Sequence, residues 1–155
     1  MTTATLTAPR RASRAYGTFA HAIDRLQPLF SLAIRLYLLR VFLWSGLLKL
    51  QDWTITLALF RNEYHVPLLP PAMAAVLGTA AEVGLPLLLV AGIGTRAAAL
   101  ALFVFNLVAA TSYPDLSPAG LKDHILWGTL CAVLFFYGPG SLSLDAWLGR
   151  RSRDS

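Results

Sequence analysis

The sequence predicts an all-α integral membrane protein, a four-transmembrane-helix bundle with short interfacial helices. Of its 155 residues, 56% are hydrophobic and only 14% are charged, whereas soluble proteins carry about 25% charged residues. A helix needs about 20 apolar residues to cross a hydrocarbon core of about 30 Å. Four apolar segments reach that length alone or with their flanks, and they run over residues 32–50, 71–92, 97–110 and 125–137.

The chain divides into three predicted stretches at the membrane boundaries. Residues 1–30 are predicted to form a cytoplasmic basic tail and an amphipathic interfacial helix. Residues 31–148 form the four-helix membrane domain, and residues 149–155 form a second basic cytoplasmic tail.

The first stretch changes character along its length. Residues 1–14 are rich in Thr, Ala and Arg and are predicted to be disordered. From Tyr16 to Phe30, apolar residues recur at helical spacing, which is typical of a helix lying on a membrane surface. Pro28 is expected to mark the bend into the first span.

A short helix is predicted between the first and second spans. Asp52 is a suitable N-cap for residues 53–60, which are too few to cross the membrane. This segment is therefore expected to be interfacial or re-entrant. Pro70 and Pro71 then lead into the second span, where proline suits the first helical turn.

Basic residues flank the membrane domain at both ends. They are Arg10, Arg11, Arg14 and Arg25 before the first span, and Arg150, Arg151 and Arg153 after the last. Cytoplasmic flanks of spans usually carry such an excess of Lys and Arg, so both termini are predicted to be cytoplasmic. The net charge of +5 is explained by these flanks, and no nucleic-acid partner is expected.

Ionisable residues inside spans are costly and usually face a partner or a wet cavity. Counted along the helices, Arg40, Glu82 and Asn106 each lie roughly 12–15 Å from the cytoplasmic side. We therefore predict a polar membrane core in which Arg40 and Glu82 form an ion pair with Asn106 beside them. This pair could fix helix packing, or it could relay protons or hold a polar headgroup. Arg35, nearer the boundary, is expected to extend its charge to the interface.

A second polar group is predicted at the opposite, outer side of the bundle. Its members are Ser45, Lys49, Asp52, Trp53, His124 and Trp127. A lysine, a histidine and two indoles around a shallow pocket could receive a quinone ring, with the histidine exchanging a proton. The alternative is an ordinary interfacial belt of aromatic and basic residues.

Other site chemistries find little support in the sequence. The three histidines are separate, and no Cys/His pair has ligand spacing, so no metal site is expected. The single cysteine, Cys131, cannot form an internal disulfide or a redox pair. Catalytic residues cannot be assigned, and the chain is not expected to be an enzyme on its own.

Six short motifs occur in a fixed order within residues 31–148. They are Arg40-x4-Ser45-Gly46-x2-Lys49-Leu50-x-Asp52, Val66-Pro67, Ala81-Glu82, Gly92-x-Gly94-Thr95-Arg96, His124-x2-Trp127 and Gly138-Pro139-Gly140-x3-Leu144-Asp145. By these motifs the chain resembles the DoxX family of small bacterial membrane proteins. The resemblance implies a multi-pass protein of the bacterial cell (inner) membrane.

The same resemblance implies an accessory subunit of a membrane redox or stress-response complex, because family members are linked to quinol oxidation and detoxifying redox partners. The expected cofactor is a quinone, bound without a covalent bond. The expected partners are the lipid bilayer and redox proteins, and a homodimer is a further expectation. A small dimeric transporter and a membrane scaffold or assembly factor stay open as alternatives.

Overall fold

The structure is a computed structural model that describes residues 9–151, with side chains from residue 16 onward. Its helices are α1 (Pro9–Gln51), α2 (Trp53–Asn62), α3 (Pro71–Ala91), α4 (Thr95–Ser112), α5 (Pro118–Tyr137) and α6 (Leu144–Arg151). Four of them, α1, α3, α4 and α5, are long and apolar enough to cross a membrane. The predicted fold class is confirmed, and no strand occurs between residues 9 and 151.

The spanning helices form two close pairs. α1 packs mainly on α3, α4 packs mainly on α5, and the contact between α3 and α4 joins the pairs. Their shared core is apolar, and its fully buried large members are Leu38, Leu89, Leu102 and Leu134.

The bundle has two ends, which we name by what they carry. At the terminal face, the Asp145 amide donates to the Gly92 carbonyl (2.8 Å), which joins the start of α6 to the α3–α4 turn. At the opposite end, the α2 face, the His65 amide donates to the Ser112 carbonyl (2.7 Å). This bond joins the segment after α2 to the end of α4.

Helix α1 stops well short of the α2 face. A Cβ on Gly46 would lie 3.0 Å from the Glu82 Cβ, so Gly46 of α1 is level with Glu82 of α3. From that level α1 continues for about 7.5 Å to Gln51, whereas α3 continues for about 16 Å to Pro71. Helix α2 fills the layer that α1 leaves open, and its Phe60 ring contacts α3 at Gly78.

The connection between α1 and α2 follows the predicted capping. The Asp52 carboxylate accepts a hydrogen bond from the Ile55 amide (3.0 Å), which satisfies a free N–H of the first turn of α2. The Thr56 hydroxyl donates to the Lys49 carbonyl (2.8 Å) near the end of α1. These two bonds hold α2 against the end of α1.

The N-terminal half of α1 differs from the sequence prediction. Residues from Pro9 onward form one helix that continues into the first span, so the expected disorder over residues 1–14 does not hold for Pro9–Arg14. The rest of that predicted tail, residues 1–8, lies outside the described residues. Pro28 lies within the helix and does not end it. The apolar residues from Tyr16 to Phe30 are exposed along this extension.

Candidate functional site

The centre of the polar site is an ion pair between α1 and α3. The Lys49 ammonium lies 2.7 Å and 2.8 Å from the two carboxylate oxygens of Glu82. It also donates to the Ser45 hydroxyl (2.9 Å), which in turn donates to Glu82 Oε1 (3.1 Å). The Lys49 and Glu82 side chains are only 15% and 9% exposed. All three ammonium hydrogens therefore have acceptors, as a buried charge requires.

Close approach of the two helices makes this pair possible. A Cβ on Gly46 would lie 2.8 Å from Val83 Cγ2, closer than side chains normally come. The glycine lets α1 and α3 touch one turn away from Lys49, at a spacing that brings the ammonium to the carboxylate.

The predicted Arg40–Glu82 ion pair is wrong. Glu82 is bound by Lys49, and Arg40 is exposed on the outside of α1. Gly46 is level with Glu82, and Arg40 lies about 9 Å from that level toward the terminal face. Helix α3 continues in the same direction and ends about 13 Å from that level. The two side chains are therefore at different depths. The prediction failed because it placed the start of the first span too early along α1.

Arg35 is also misplaced by the sequence prediction, which had it reach to the interface. Its side chain is fully buried, and its guanidinium donates to backbone carbonyls at the end of α3 and in the loop after α5. The four acceptors are the carbonyls of Leu89, Val90, Pro139 and Leu142. Arg35 thus ties α1 to two other segments at the terminal face.

Asp145 makes a second tie at the terminal face. Its carboxylate accepts hydrogen bonds from the Gly94 amide (2.8 Å), the Thr95 amide (2.9 Å) and the Thr95 hydroxyl (3.0 Å), so it caps α4 from another helix. Burial favours the neutral carboxyl group, but these hydrogen bonds and the positive charge of Arg35 outweigh it. The pKa of Asp145 therefore lies below its ordinary value of 3.8.

Asn106 joins α4 to α5 rather than joining the ion pair. Its amide nitrogen donates to the His124 carbonyl (2.9 Å), and its Oδ1 lies 2.8 Å from His124 Nδ1. A neutral His124 must then carry its hydrogen on Nδ1, since Oδ1 can only accept, which leaves Nε2 as an acceptor. The predicted trio of Arg40, Glu82 and Asn106 is thus not one cluster.

An aromatic cluster lies beside the histidine. The Trp127 ring is 4.9 Å from the His124 ring and 5.5 Å from the Phe42 ring, centroid to centroid. Phe42 in turn contacts Phe105 at 6.2 Å. These edge-to-face contacts bring side chains of α1, α4 and α5 together at the middle of the bundle.

The ion pair, His124 and the aromatic cluster border a cavity of about 610 Å³, within the range of small-molecule sites. It lies between the aromatic cluster and the segments around α2. Four residues of the predicted ligand pocket line it, namely Ser45, Lys49, His124 and Trp127. The other two, Asp52 and Trp53, are not among its lining residues. Glu82, assigned by sequence to a different group, also lines it.

Sequence reasoning missed two hydroxyl groups of this cavity. Ser112 is 2% exposed, and its hydroxyl oxygen is buried without a hydrogen-bond partner among the described residues. Tyr64 lies after α2. Burial raises the pKa of its hydroxyl group, and the negative charge of Glu82 raises it further by a smaller amount. The rings of Tyr64 and Phe60 lie 4.9 Å apart. Their spacing of four residues in the sequence was the signal that this face points inward.

No group of three or more metal-ligand side chains occurs in the part of the chain that the structure describes.

The site combines a closed ion pair, a histidine with an available acceptor nitrogen, an unpartnered hydroxyl and aromatic walls. Such a set suits a largely apolar ligand with a few oxygen atoms.

Comparison with known proteins gives one finding. The sequence matches the family model DoxX over residues 30–114, which is more than half of the chain. No curated protein and no solved structure matches the chain. The matched region contains α2, α3 and α4 and the part of α1 that carries Lys49, and it ends before His124.

Proposed function

This chain belongs to the DoxX family and is a multi-pass membrane protein, and we propose that it binds a membrane quinone as an accessory subunit of a redox or stress-response complex. The observation that carries the proposal is the cavity, in which polar groups from four helices meet walls that are otherwise apolar and aromatic.

The unpartnered Ser112 hydroxyl supports an oxygen-bearing ligand. A buried hydroxyl without a partner costs roughly 1–3 kcal/mol, and a ligand carbonyl would remove that cost by accepting its hydrogen once the Ser112 side chain turns toward the cavity. Tyr64 also lines the cavity, and its hydroxyl group offers a second donor. A quinone ring is an apolar disc that carries carbonyl acceptors, which suits a few hydroxyl donors in an otherwise apolar cavity.

The ion pair and the histidine have separate roles in this proposal. Lys49 has no hydrogen left to donate, so Lys49 and Glu82 provide a fixed polar wall rather than a direct hydrogen bond from the ammonium. His124 has its Nδ1 held by Asn106, so its Nε2 is the ring nitrogen through which it would accept a proton or hydrogen bond from a quinol hydroxyl.

Location and orientation form part of the same proposal. We place the protein in the bacterial inner membrane with the terminal face and both termini in the cytoplasm. The basic residues Arg40, Arg96, Arg150 and Arg151 lie on or near the terminal face, in line with the excess of Lys and Arg on cytoplasmic flanks. Reporter fusions after Asp115 and at the C-terminus would test this orientation. If it is correct, the C-terminal fusion reports the cytoplasm and the fusion after Asp115 reports the outer side.

The test of quinone binding is purification in a mild detergent, followed by extraction and mass spectrometry of retained quinones and co-purifying proteins. We expect a quinone and a redox protein in stoichiometric amounts with the wild type. Ser112→Ala should lower quinone retention several-fold, whereas Ser141→Ala, at an exposed serine, should leave it unchanged.

Absence of quinone from the wild type, combined with failure to bind added menaquinone, would reject the proposal. Retention that is equal in the two serine variants would reject the role given to Ser112. A purified protein that carries quinone but no redox partner would remove the complex-subunit part and leave the binding part standing.

A further inference from the structure

The cavity has a wall between α3 and α4 that consists largely of small side chains. The lining residues there are Leu77, Gly78 and Ala81 on α3, and Ala101, Val104 and Val108 on α4. Leu77 and Val104 are also 52% and 51% exposed. A residue that lines a cavity and is half exposed marks a place where the cavity reaches the outer surface of the bundle.

This opening lies within the membrane-spanning layer. Leu77 is about 9 Å from the start of α3 at Pro71, and Val104 is about 13 Å from the start of α4 at Thr95. Because α3 starts at the α2 face and α4 starts at the terminal face, the opening is removed from both ends of the bundle. It therefore faces lipid chains rather than water.

Two other sides of the cavity, toward the two ends of the bundle, are covered by protein. Toward the α2 face, the Tyr64 and Tyr113 rings lie 5.4 Å apart, and the bond from the His65 amide to the Ser112 carbonyl joins their segments. Toward the terminal face, the Phe42, Phe105 and Trp127 rings fill the space between the helices. The half-exposed lining residues Leu77 and Val104 therefore mark an opening to the bilayer beside the contact between α3 and α4.

We infer that the ligand enters sideways from the bilayer between α3 and α4, and that it is a lipid with a small oxygen-bearing ring and one long apolar chain. The ring lies beside Ser112, His124 and the ion pair, and the chain leaves through the gap past Ala81 and Ala101. This inference rests on the proposed function, to which it adds the route and the second half of the ligand.

The gap can be narrowed at one of two adjacent alanines. Ala81 lines the cavity, whereas Ala80 is exposed and is not a lining residue. Ala81→Phe therefore places a ring in the path of the chain, and Ala80→Phe places the same ring on the lipid-facing surface as a matched control. Ala101→Phe and Ala97→Phe repeat the comparison on α4. Of these two alanines, Ala101 lines the cavity and Ala97 is exposed and does not.

The probes are menaquinone-4, which carries a prenyl chain, and menadione, which has the same ring without it. Binding to the purified protein in nanodiscs is measured by quenching of tryptophan fluorescence. We expect both probes to bind the wild type. In Ala81→Phe, the affinity for menaquinone-4 should fall at least tenfold while that for menadione stays within twofold, which also shows that the variant is folded. Ala80→Phe should change neither affinity.

Unchanged menaquinone-4 binding in both Ala81→Phe and Ala101→Phe would overturn the inference, and so would an equal loss of both probes. If neither probe binds the wild type, the quinone proposal fails by itself. Native mass spectrometry of lipids retained by the wild type then decides the route. A single-chain lipid lost in Ala81→Phe but kept in Ala80→Phe would support it, and equal retention would refute it.

Discussion

Replacing Glu82 by Gln should cost about 3 kcal/mol of stability, because it leaves the Lys49 charge buried without its counter-ion. Both carboxylate oxygens accept from the ammonium at 2.7–2.8 Å, and glutamine keeps only one acceptor of similar shape. A pair broken on one side in a fully buried setting costs about 3–5 kcal/mol. We take the lower end because Lys49 remains 15% exposed.

Lys49→Met should cost a similar amount, since it leaves the Glu82 carboxylate with only the Ser45 hydroxyl as donor. The double variant has no unpaired charge and should lose less than either single variant, about 1 kcal/mol, so that its loss is far below the sum of the single losses. Unfolding by SDS in mixed micelles, followed by tryptophan fluorescence, measures these differences. The exposed Lys122→Met is the control and should lie within about 0.5 kcal/mol of the wild type.

Single variants that each lose less than about 1 kcal/mol, or a double variant whose loss is the sum of the single losses, would refute this account. The first result would mean that the pair is solvated in the native protein. The second would mean that Lys49 and Glu82 stabilise the fold through separate neighbours rather than through each other.

Three further predictions concern the terminal face. Arg35→Ala should destabilise the protein by at least about 3 kcal/mol because it removes four hydrogen bonds from a charged donor. The control, Arg40→Ala, should cost about 0.5 kcal/mol or less. A larger loss for Arg40→Ala than for Arg35→Ala in the same unfolding assay would contradict the burial of Arg35. Gly92→Ala should lower the melting temperature, since Gly92 has a φ of 70° and a Cβ there would lie 2.5 Å from Ser143 Cβ, while Gly84→Ala, in open space, should not. The lowered pKa of Asp145 means that its charged form stabilises the fold above its ordinary value of 3.8, and this stability disappears as the pH falls through the lower, folded-state pKa. The stability difference between wild type and Asp145→Asn should therefore shrink on acidification below that value; a difference that is constant down to the acid limit would show that the charge of Asp145 contributes nothing.

The fold class could be predicted because it depends on sums over long segments. The number of apolar stretches stays at four even if the ends of each are misplaced by a few residues, and hydropathy determines that they form spanning helices. The Asp52 cap could also be predicted, since a cap depends only on its own turn. Local and averaged signals are therefore reliable in this chain.

Pairing across the bundle was predicted only in part, because it depends on the relative depth of the helices. Lys49, His124 and Trp127 lie on one cavity, as their positions near helix ends suggested. Arg40 and Glu82 were paired on counts from assumed membrane boundaries, and α1 is shifted toward the terminal face because α2 occupies the layer beyond it. Close contact at Gly46 determines this shift, and a single glycine in an apolar stretch does not indicate its partner.

Asp145 illustrates a different limit. Its carboxylate caps α4 across about fifty residues of chain, and no local pattern around Asp145 indicates that partner. The nearby Ser143 hydroxyl accepts from the Ala146 amide (3.1 Å) and so caps the first turn of α6. When two candidate caps stand close together, the sequence does not tell which of them serves a distant helix end.

The burial of Arg35 also has a consequence for how the chain is made. Its carbonyl partners follow it by 54 residues at Leu89 and by 107 residues at Leu142. During synthesis, α1 therefore enters the membrane before any of these acceptors exists. Its guanidinium must stay hydrated at the interface until α3 and the loop after α5 have been inserted. The last step of assembly is then the transfer of the Arg35 side chain from water to its backbone carbonyl acceptors. A chain truncated before Leu142 should therefore be unable to bring α1 to its final position in the bundle.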